Sequence, residues 1–424
     1  MGRIAGVAAL LVAAVASTGW AAEPGGLEKQ VAELVRQNRL LLERVTELEK
    51  RLADREAEER AAENHEKETV GGQGAVEEQQ NVAPATETLE MAADSSWADG
   101  LRERIEIGVL VEVEAASVRS FDNEETSDVS LATVEAGLAA RITPWADAHF
   151  VFLYEDGEED DHVLLDEGAL ALSGPALLPA SLTMGKMYLP FGSFETNLVS
   201  DPLTLDIAEI NESGLLAALQ GGGFYGALFA FNGDIETTDT NDEIRGYGIN
   251  AGYLYECDRL AVHAGLGWLN NLADSDGLGD YLTDADGAGL DFIADEVPGL
   301  AANLKVVVSP FFLLAEYVTA LDDFRPGEID FAGHSARPAA WSGEVGASWR
   351  LWQRETVFAL GVQGTKEAVA LGLPEERYLA AIRLYFCDNT SLALEYIHAE
   401  DYAEDEGGSN GSAGAATMQL AVEF

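Results

Sequence analysis

The nine residues Ala416-Thr417-Met418-Gln419-Leu420-Ala421-Val422-Glu423-Phe424 decide the fold. Read back from the carboxyl end, Phe424, Val422, Leu420, Met418 and Ala416 take one face of an extended strand, and Glu423, Gln419 and Thr417 take the other. Successive side chains of a strand point to opposite faces, so this strand is apolar on one side only. Two settings suit it: the edge of a soluble sheet, and a strand with lipid on one face and water on the other.

The same period of two recurs upstream. From about Leu101, Ile105, Ile107, Val109, Val111 and Val113 alternate with Glu106, Gly108, Glu112 and Glu114. About sixteen such segments follow, each near the ~9–11 residues that cross a bilayer at a tilt. They lie near 103–118, 129–142, 145–156, 162–172, 180–189, 213–220, 223–232, 245–256, 259–270, 300–308, 311–320, 341–350, 354–364, 376–386, 390–400 and 415–424. Thr143-Pro144, Gly221-Gly222, Cys257-Asp258, Ser309-Pro310, Leu351-Trp352-Gln353 and Cys387-Asp388-Asn389 make tight links, whereas 190–212, 233–243, 271–299, 321–340 and 401–414 are long and mostly acidic. Short and long links alternate, as in an outer-membrane barrel with periplasmic turns and extracellular loops; an even strand number puts both termini in the periplasm. A soluble sandwich has no reason to sort its loops this way. The expected fold is therefore all-β, a transmembrane antiparallel barrel of about 16 strands over 101–424, with outer-membrane lipid as its surroundings. Trp145, Trp349, Trp352 and Phe386 beside short turns, with Trp268, Trp341 and Tyr378 at long-loop ends, supply two interfacial girdles. The aromatic Phe424 on an alternating last strand resembles the assembly signal of bacterial outer-membrane barrels, which implies the barrel-assembly machinery as a partner.

Composition agrees by exclusion. The 424 residues suit one large barrel or two to three soluble domains. After the amino terminus no apolar run approaches the ~20 residues of a spanning helix. A net charge of -50, from 75 acidic and 25 basic residues, excludes a nucleic-acid partner, whose phosphates demand clustered Lys and Arg. Cys257 and Cys387 are too few for a disulfide scaffold, have no zinc spacing and lie in turns six strands apart, so free thiols are expected. No metal or cofactor framework is legible.

Ahead of the barrel, Arg3, the apolar run Ile4 to Ala16 and Gly19-Trp20-Ala21 read as a cleaved signal peptide over 1–21. Over 22–55, Leu27, Val31, Leu34, Asn38, Leu41, Val45, Leu48 and Leu52 keep the alternating four-and-three spacing of a coiled coil. Leu34, Asn38, Leu41, Val45 and Leu48 are its candidate oligomerisation residues, and Asn38 at an a position fixes register. The competing reading is one amphipathic helix lying on another domain. A homotrimer is the expected assembly. Residues 56–100, rich in Glu, Gln, Ala and Gly, read as a flexible linker.

The segment Gly185-Lys186-Met187-Tyr188-Leu189-Pro190-Phe191-Gly192-Ser193-Phe194-Glu195-Thr196-Asn197-Leu198-Val199-Ser200-Asp201-Pro202-Leu203-Thr204-Leu205 resembles the corresponding stretch of the LbtU-type siderophore porins. The Gly-Lys-x-x-x-Pro-Phe-Gly core is shared with phosphate-selective and dicarboxylate porins; the run from Phe194 to Thr204 favours the siderophore group. That resemblance implies an outer-membrane porin associated with ferric siderophore uptake, with a signal peptide, a periplasmic coiled coil and a carboxyl-terminal barrel.

If the apolar face of each strand meets lipid, Asn303, Lys305, Glu344, Arg350, Arg383, Glu395 and Glu423 point inward as the lumen wall. The link 190–212 carries Glu195, Asp201, Asp206, Glu209 and Glu212 without a base, and its Leu198, Val199, Leu203, Leu205 and Ile207 are poorly suited to solvent. It is expected to fold into the pore as a constriction, against the alternatives of an external flap or a contact between protomers. The seven Asp residues of 271–299, from Asp274 and Asp276 to Asp295, do not meet calcium-loop spacing and read as a solvated acidic loop. His149, His263 and His398 share no motif, and no phosphate cradle or nucleophile elbow is present, so no enzyme is expected. The functional readings are a porin for ferric siderophores, a porin for other small solutes, of general or cation-preferring type, and a structural tether acting through the coiled coil.

Overall fold

A computed structural model describes residues 104–424 apart from 157–162, 175–178, 238–243, 258, 284–286, 291 and 388. The signal peptide, the coiled coil with Leu34, Asn38, Leu41, Val45 and Leu48, and the linker all lie outside the described residues.

Sixteen strands form one closed barrel. In chain order they are β1 (Ile105–Arg119), β2 (Glu125–Thr143), β3 (Ala146–Glu155), β4 (Leu164–Ser173), β5 (Ala180–Tyr188), β6 (Asn211–Gly221), β7 (Phe224–Phe231), β8 (Gly246–Cys257), β9 (Leu260–Leu269), β10 (Gly299–Val308), β11 (Phe311–Ala320), β12 (Ala339–Leu351), β13 (Arg354–Lys366), β14 (Glu376–Cys387), β15 (Thr390–Glu400) and β16 (Ser412–Glu423). Each pairs antiparallel with its chain neighbour, and β16 returns to β1 with Val422 opposite Val111 and Leu420 opposite Val113. Val109 N donates to Phe424 O at 2.8 Å and Phe424 N to Val109 O at 3.0 Å. Closure leaves no open edge, which lipid would not tolerate because it offers no partner to a backbone N–H or C=O.

Each expected segment coincides with one barrel strand, and the differences lie at the ends. β2 begins at Glu125 because Thr126 and Ser127 continue the ladder with Val118 and Ser117. β16 begins at Ser412, opposite Glu400. In both places backbone pairing outlasts the apolar alternation, since strand ends beyond the lipid zone need no greasy face.

The apolar faces point outward. On β11, Phe311, Leu313 and Tyr317 are exposed while Leu314, Glu316 and Val318 are buried. A water-soluble sheet would reverse that choice. Exposed Trp145, Trp341, Trp349, Trp352 and Tyr378 lie near the strand ends. The tight links hold the backbone left-handed, at Gly222 (φ 62) and Gly223 (φ 86) between β6 and β7, where glycine has no Cβ to clash. Cys257 and Cys387 are both exposed, at the ends of β8 and β14, and are not joined to each other.

Among the described residues, four of the long links bury apolar side chains together. They converge in a core of their own around α1 (Leu203–Ala208) and α2 (Asp276–Thr283). Phe191, Leu203, Ile207, Leu272, Leu278, Phe324 and Ile329 are fully buried there. The link 321–338 contributes the last two, and the link 232–245 adds Ile235.

Candidate functional site

The link between β5 and β6 leaves one side of the barrel and is fastened to the opposite side. Glu316 on β11 accepts from Ser193 N at 2.7 Å, Phe194 N at 3.0 Å and Thr204 Oγ1 at 3.0 Å. Glu344 on β12 accepts from Thr196 Oγ1 at 2.7 Å, Asn197 N at 3.1 Å and Asn197 Nδ2 at 2.9 Å. Glu395 on β15 accepts from Val199 N at 2.6 Å, Ser200 N at 3.0 Å and Ser200 Oγ at 2.5 Å. Between them, Gln363 on β13 accepts from Leu203 N at 3.2 Å. From β14, Arg383 donates to Leu198 O at 3.3 Å and Arg377 donates to Asp201 O. Lys305 on β10 forms an ion pair with Glu195.

This pattern answers a backbone problem. The segment 191–202 has no ladder of its own, so its N–H groups need acceptors inside a barrel where few are available. Three carboxylates supply them, each taking three donors from backbone or side chain in charge-assisted bonds. The wall is also shaped for the segment: a Cβ on Gly267 of β9 would lie 2.0 Å from Phe191 O. Only glycine lets the two backbones approach so closely.

Among the residues expected to line the lumen, Lys305, Glu344, Arg383 and Glu395 thus meet the segment directly. Arg350 sits at the short-turn end of β12, exposed and opposite Glu355. The five carboxylates expected on the constriction are unequally placed. Glu195 is taken by Lys305, Asp201 offers its backbone oxygen to Arg377, Asp206 lies within α1, and Glu209 is buried at the carboxyl end of α1. Glu212 belongs to β6, opposite Met187, rather than to the link. Burial raises the Asp206 carboxyl above its ordinary value.

Sequence reasoning missed Glu316, Gln363 and Arg377. Glu316 had a usable signal: it is the one carboxylate of the face Phe312, Leu314, Glu316, Val318 on β11. It also missed an acidic wall on the other side. Pairing sets Glu112 beside Thr133, Glu135 beside Leu153 and Glu167 beside Val151, so β1, β2 and β4 turn carboxylates to one face. Glu114 on the same face of β1 accepts from Gln419 Nε2 at 3.0 Å, and Glu155 follows on β3.

The second acidic link is not simply solvated, contrary to expectation. Asp274 is buried and accepts from Ile235 N at 3.2 Å and Asn271 Nδ2 at 3.0 Å. Asp276 accepts from Asn211 N at 3.2 Å, and Ser275 Oγ donates to Ile207 O at 2.7 Å, tying this link to α1. Burial pushes Asp274 and Asp276 each up to about 6. Asp284, Asp286 and Asp291 lie outside the described residues. Among the described residues no cluster of three or more His, Cys, Asp or Glu is placed to hold a metal ion. His149, His263 and His398 lie on three separate strands; His149 meets Glu167 at 3.3 Å and His263 meets Glu256 at 3.1 Å.

No family model matches the chain. A UPF0422 protein of Coxiella burnetii is 23% identical over 297 residues, 68% of this chain and 62% of the relative. A UPF0422 protein of Legionella pneumophila is 26% identical over 294 residues, 65% of this chain and 55% of the relative. The chain thus spans about three fifths of the length of these curated relatives. Among solved structures, an anion-selective porin from Comamonas acidovorans superposes with a TM-score of 0.53 at 13% identity, covering 76% of this chain and 99% of that one. OmpF of Salmonella typhi, in complex with daunomycin, gives 0.52 at 13%, with 77% and 99% covered. OprB of Pseudomonas putida gives 0.52 at 11%, with 78% and 96% covered. At such identities the likeness carries the fold: this is a porin-type barrel, and an outer-membrane location fits it.

Proposed function

We propose that this chain is a passive outer-membrane channel for small solutes that favours cations. One observation carries the reading: the segment 191–202 crosses the barrel interior and is bound to β10–β15, opposite a wall whose inward groups are Glu112, Glu114, Glu135, Glu155 and Glu167. A constriction that faces an acidic wall concentrates cations and repels small anions.

In this account Asp201 and Asp206 set the charge of the segment, while Glu195 is paired with Lys305, Glu209 keeps its proton at neutral pH and Glu212 adds its carboxyl from β6. Glu344 and Glu395 hold the segment's shape, Lys305 and Arg383 neutralise it locally, and Arg350 wets the short-turn mouth. The siderophore reading rests on the resemblance of residues 185–205; within an acidic lumen it favours neutral or cationic ferric complexes over polyanionic ones. Residues 1–21 direct export, Phe424 serves the assembly machinery, both mature termini lie in the periplasm, and the heptads around Asn38 hold a homotrimer. No covalent chemistry is involved. Planar-bilayer recording of the purified full chain is the test. Discrete conductance steps are expected; protein that inserts and never conducts would leave the tether reading in its place.

A further inference from the structure

Where β4, β5 and β6 meet α1 and α2, three buried oxygens have no hydrogen-bond donor: Asp166 Oδ2, Glu209 Oε1 and Asn211 Oδ1. Asp166 and Asn211 share a side-chain network, to which Glu209 is joined through its backbone carbonyl. Tyr188 OH donates to Asp166 Oδ1 at 3.0 Å, and Asn211 Nδ2 donates to the same oxygen at 2.8 Å and to Asp166 O at 3.2 Å. Asn211 N donates to Asp276 Oδ1, and Asp276 N returns a bond to Glu209 O at 2.9 Å.

The Asn211 amide cannot be turned over to relieve the shortage. Both bonds from its nitrogen end on Asp166, so reversal would set oxygen against carboxylate. Lys186 is directed to Leu165 O at 3.4 Å. Asp166 and Glu209 are only 6% and 5% exposed. Burial, and then the charges of Asp276, Asp201, Asp166 and Glu155, push Glu209 up to about 9. Leaving buried acceptors without donors is costly, and three such oxygens belong to residues of neighbouring elements here.

We infer that Asp166, Glu209 and Asn211 form a binding site for the primary ammonium head of an organic cation. Such a head carries three N–H donors, which suit the Asp166 and Asn211 oxygens, and one positive charge, which favours the ionised form of Glu209. A bare metal ion is a poorer occupant, because no group of acidic side chains among the described residues is placed to ligate one. The inference rests on the cation-channel reading for how the ligand arrives, and it names the class of solute that would pause at this point.

The test is calorimetric titration of 1,4-diaminobutane into the detergent-solubilised full chain, with tetramethylammonium as a cation lacking N–H donors. Saturable binding of diaminobutane is expected, with no matching heat from tetramethylammonium. Asp166→Asn and Glu209→Gln should each weaken it at least tenfold, while Asp295→Asn, remote and exposed, should not. Equal binding of the two cations, no saturable binding, or unchanged affinity in both variants would overturn the inference. If a variant fails to fold, the wild-type chain still decides: diaminobutane should raise its melting temperature and tetramethylammonium should not, and equal shifts would overturn the site. Conductance is recorded in parallel. A conducting protein that treats both cations alike refutes the site alone, whereas selective binding to a protein that never conducts refutes the channel alone.

Discussion

Glu344 and Asn197 are joined through both ends of the asparagine: the carboxylate accepts the backbone N–H at 3.1 Å and the side-chain amide at 2.9 Å. A residue on the twelfth strand thereby fixes both the position and the rotamer of a residue that left the barrel wall after the fifth. Glu395 repeats the device with Ser200, and Glu316 takes the backbone N–H groups of Ser193 and Phe194. These wall carboxylates act first as acceptors for an irregular backbone, and their charge is spent on holding the segment.

Glu344→Ala should therefore release the middle of the segment. Losing charge-assisted bonds of this kind costs on the order of 2–3 kcal/mol. The expected result is a larger and noisier single-channel conductance with the barrel intact; an unchanged current record would mean that the segment does not gate the lumen.

Gly267→Val tests the close approach to Phe191 O. Overpacking of this sort costs about 1–3 kcal/mol. Melting of the folded barrel, followed by circular dichroism, should shift downward, and an unshifted transition would contradict the tight contact.

Stability should fall as pH rises. The carboxyls of Asp274 and Asp276, raised from 3.8 to about 6, and of Glu209, raised from 4.5 to about 9, hold protons in the folded state that the unfolded chain has already lost. Their stabilising contribution is complete below the ordinary carboxylate range and is lost through about 6 and then about 9. Melting temperatures between pH 5 and pH 9 should decline, on the order of a few degrees per kcal/mol. Glu209→Gln should flatten the upper part of that decline. A melting temperature that rises over this range would reverse the assignment.

Deleting Phe424 removes two backbone bonds to Val109 at the seam of the barrel and the aromatic end of its last strand. The level of heat-modifiable protein in the outer membrane should fall sharply. Unchanged levels would show that closure does not depend on this residue.

Much of the barrel is legible in the sequence because lipid outside and water inside impose a period of two on every strand. The strand from Phe311 to Ala320 and that from Thr390 to Glu400 could be read to the residue. The site was less legible. Parity places Glu344 and Glu395 inside, yet it says nothing of which distant backbone they hold, since Asn197 and Val199 approach them through tertiary folding alone. Glu316 was overlooked because a single acid among Leu314 and Val318 looks like a break in an apolar run. The carboxylates of the link were weighed as a group by charge, whereas α1 buries Glu209 and Lys305 neutralises Glu195. The coiled-coil reading at Leu34 to Leu48 lies outside the described residues and stands on heptad spacing.

The reversal potential of the purified full chain in a potassium chloride gradient tests the central claim most directly. A cation-selective value is predicted at 0.1 M salt, fading toward 1 M as the Debye length shrinks from about 10 Å to about 3 Å. Converting Glu112, Glu135 and Glu167 to Gln should diminish it from the wall side. Converting Glu195, Asp201 and Asp206 to their amides should diminish it from the segment side. An anion-selective potential at low salt, or a cation preference that survives both sets of substitutions, would contradict the account.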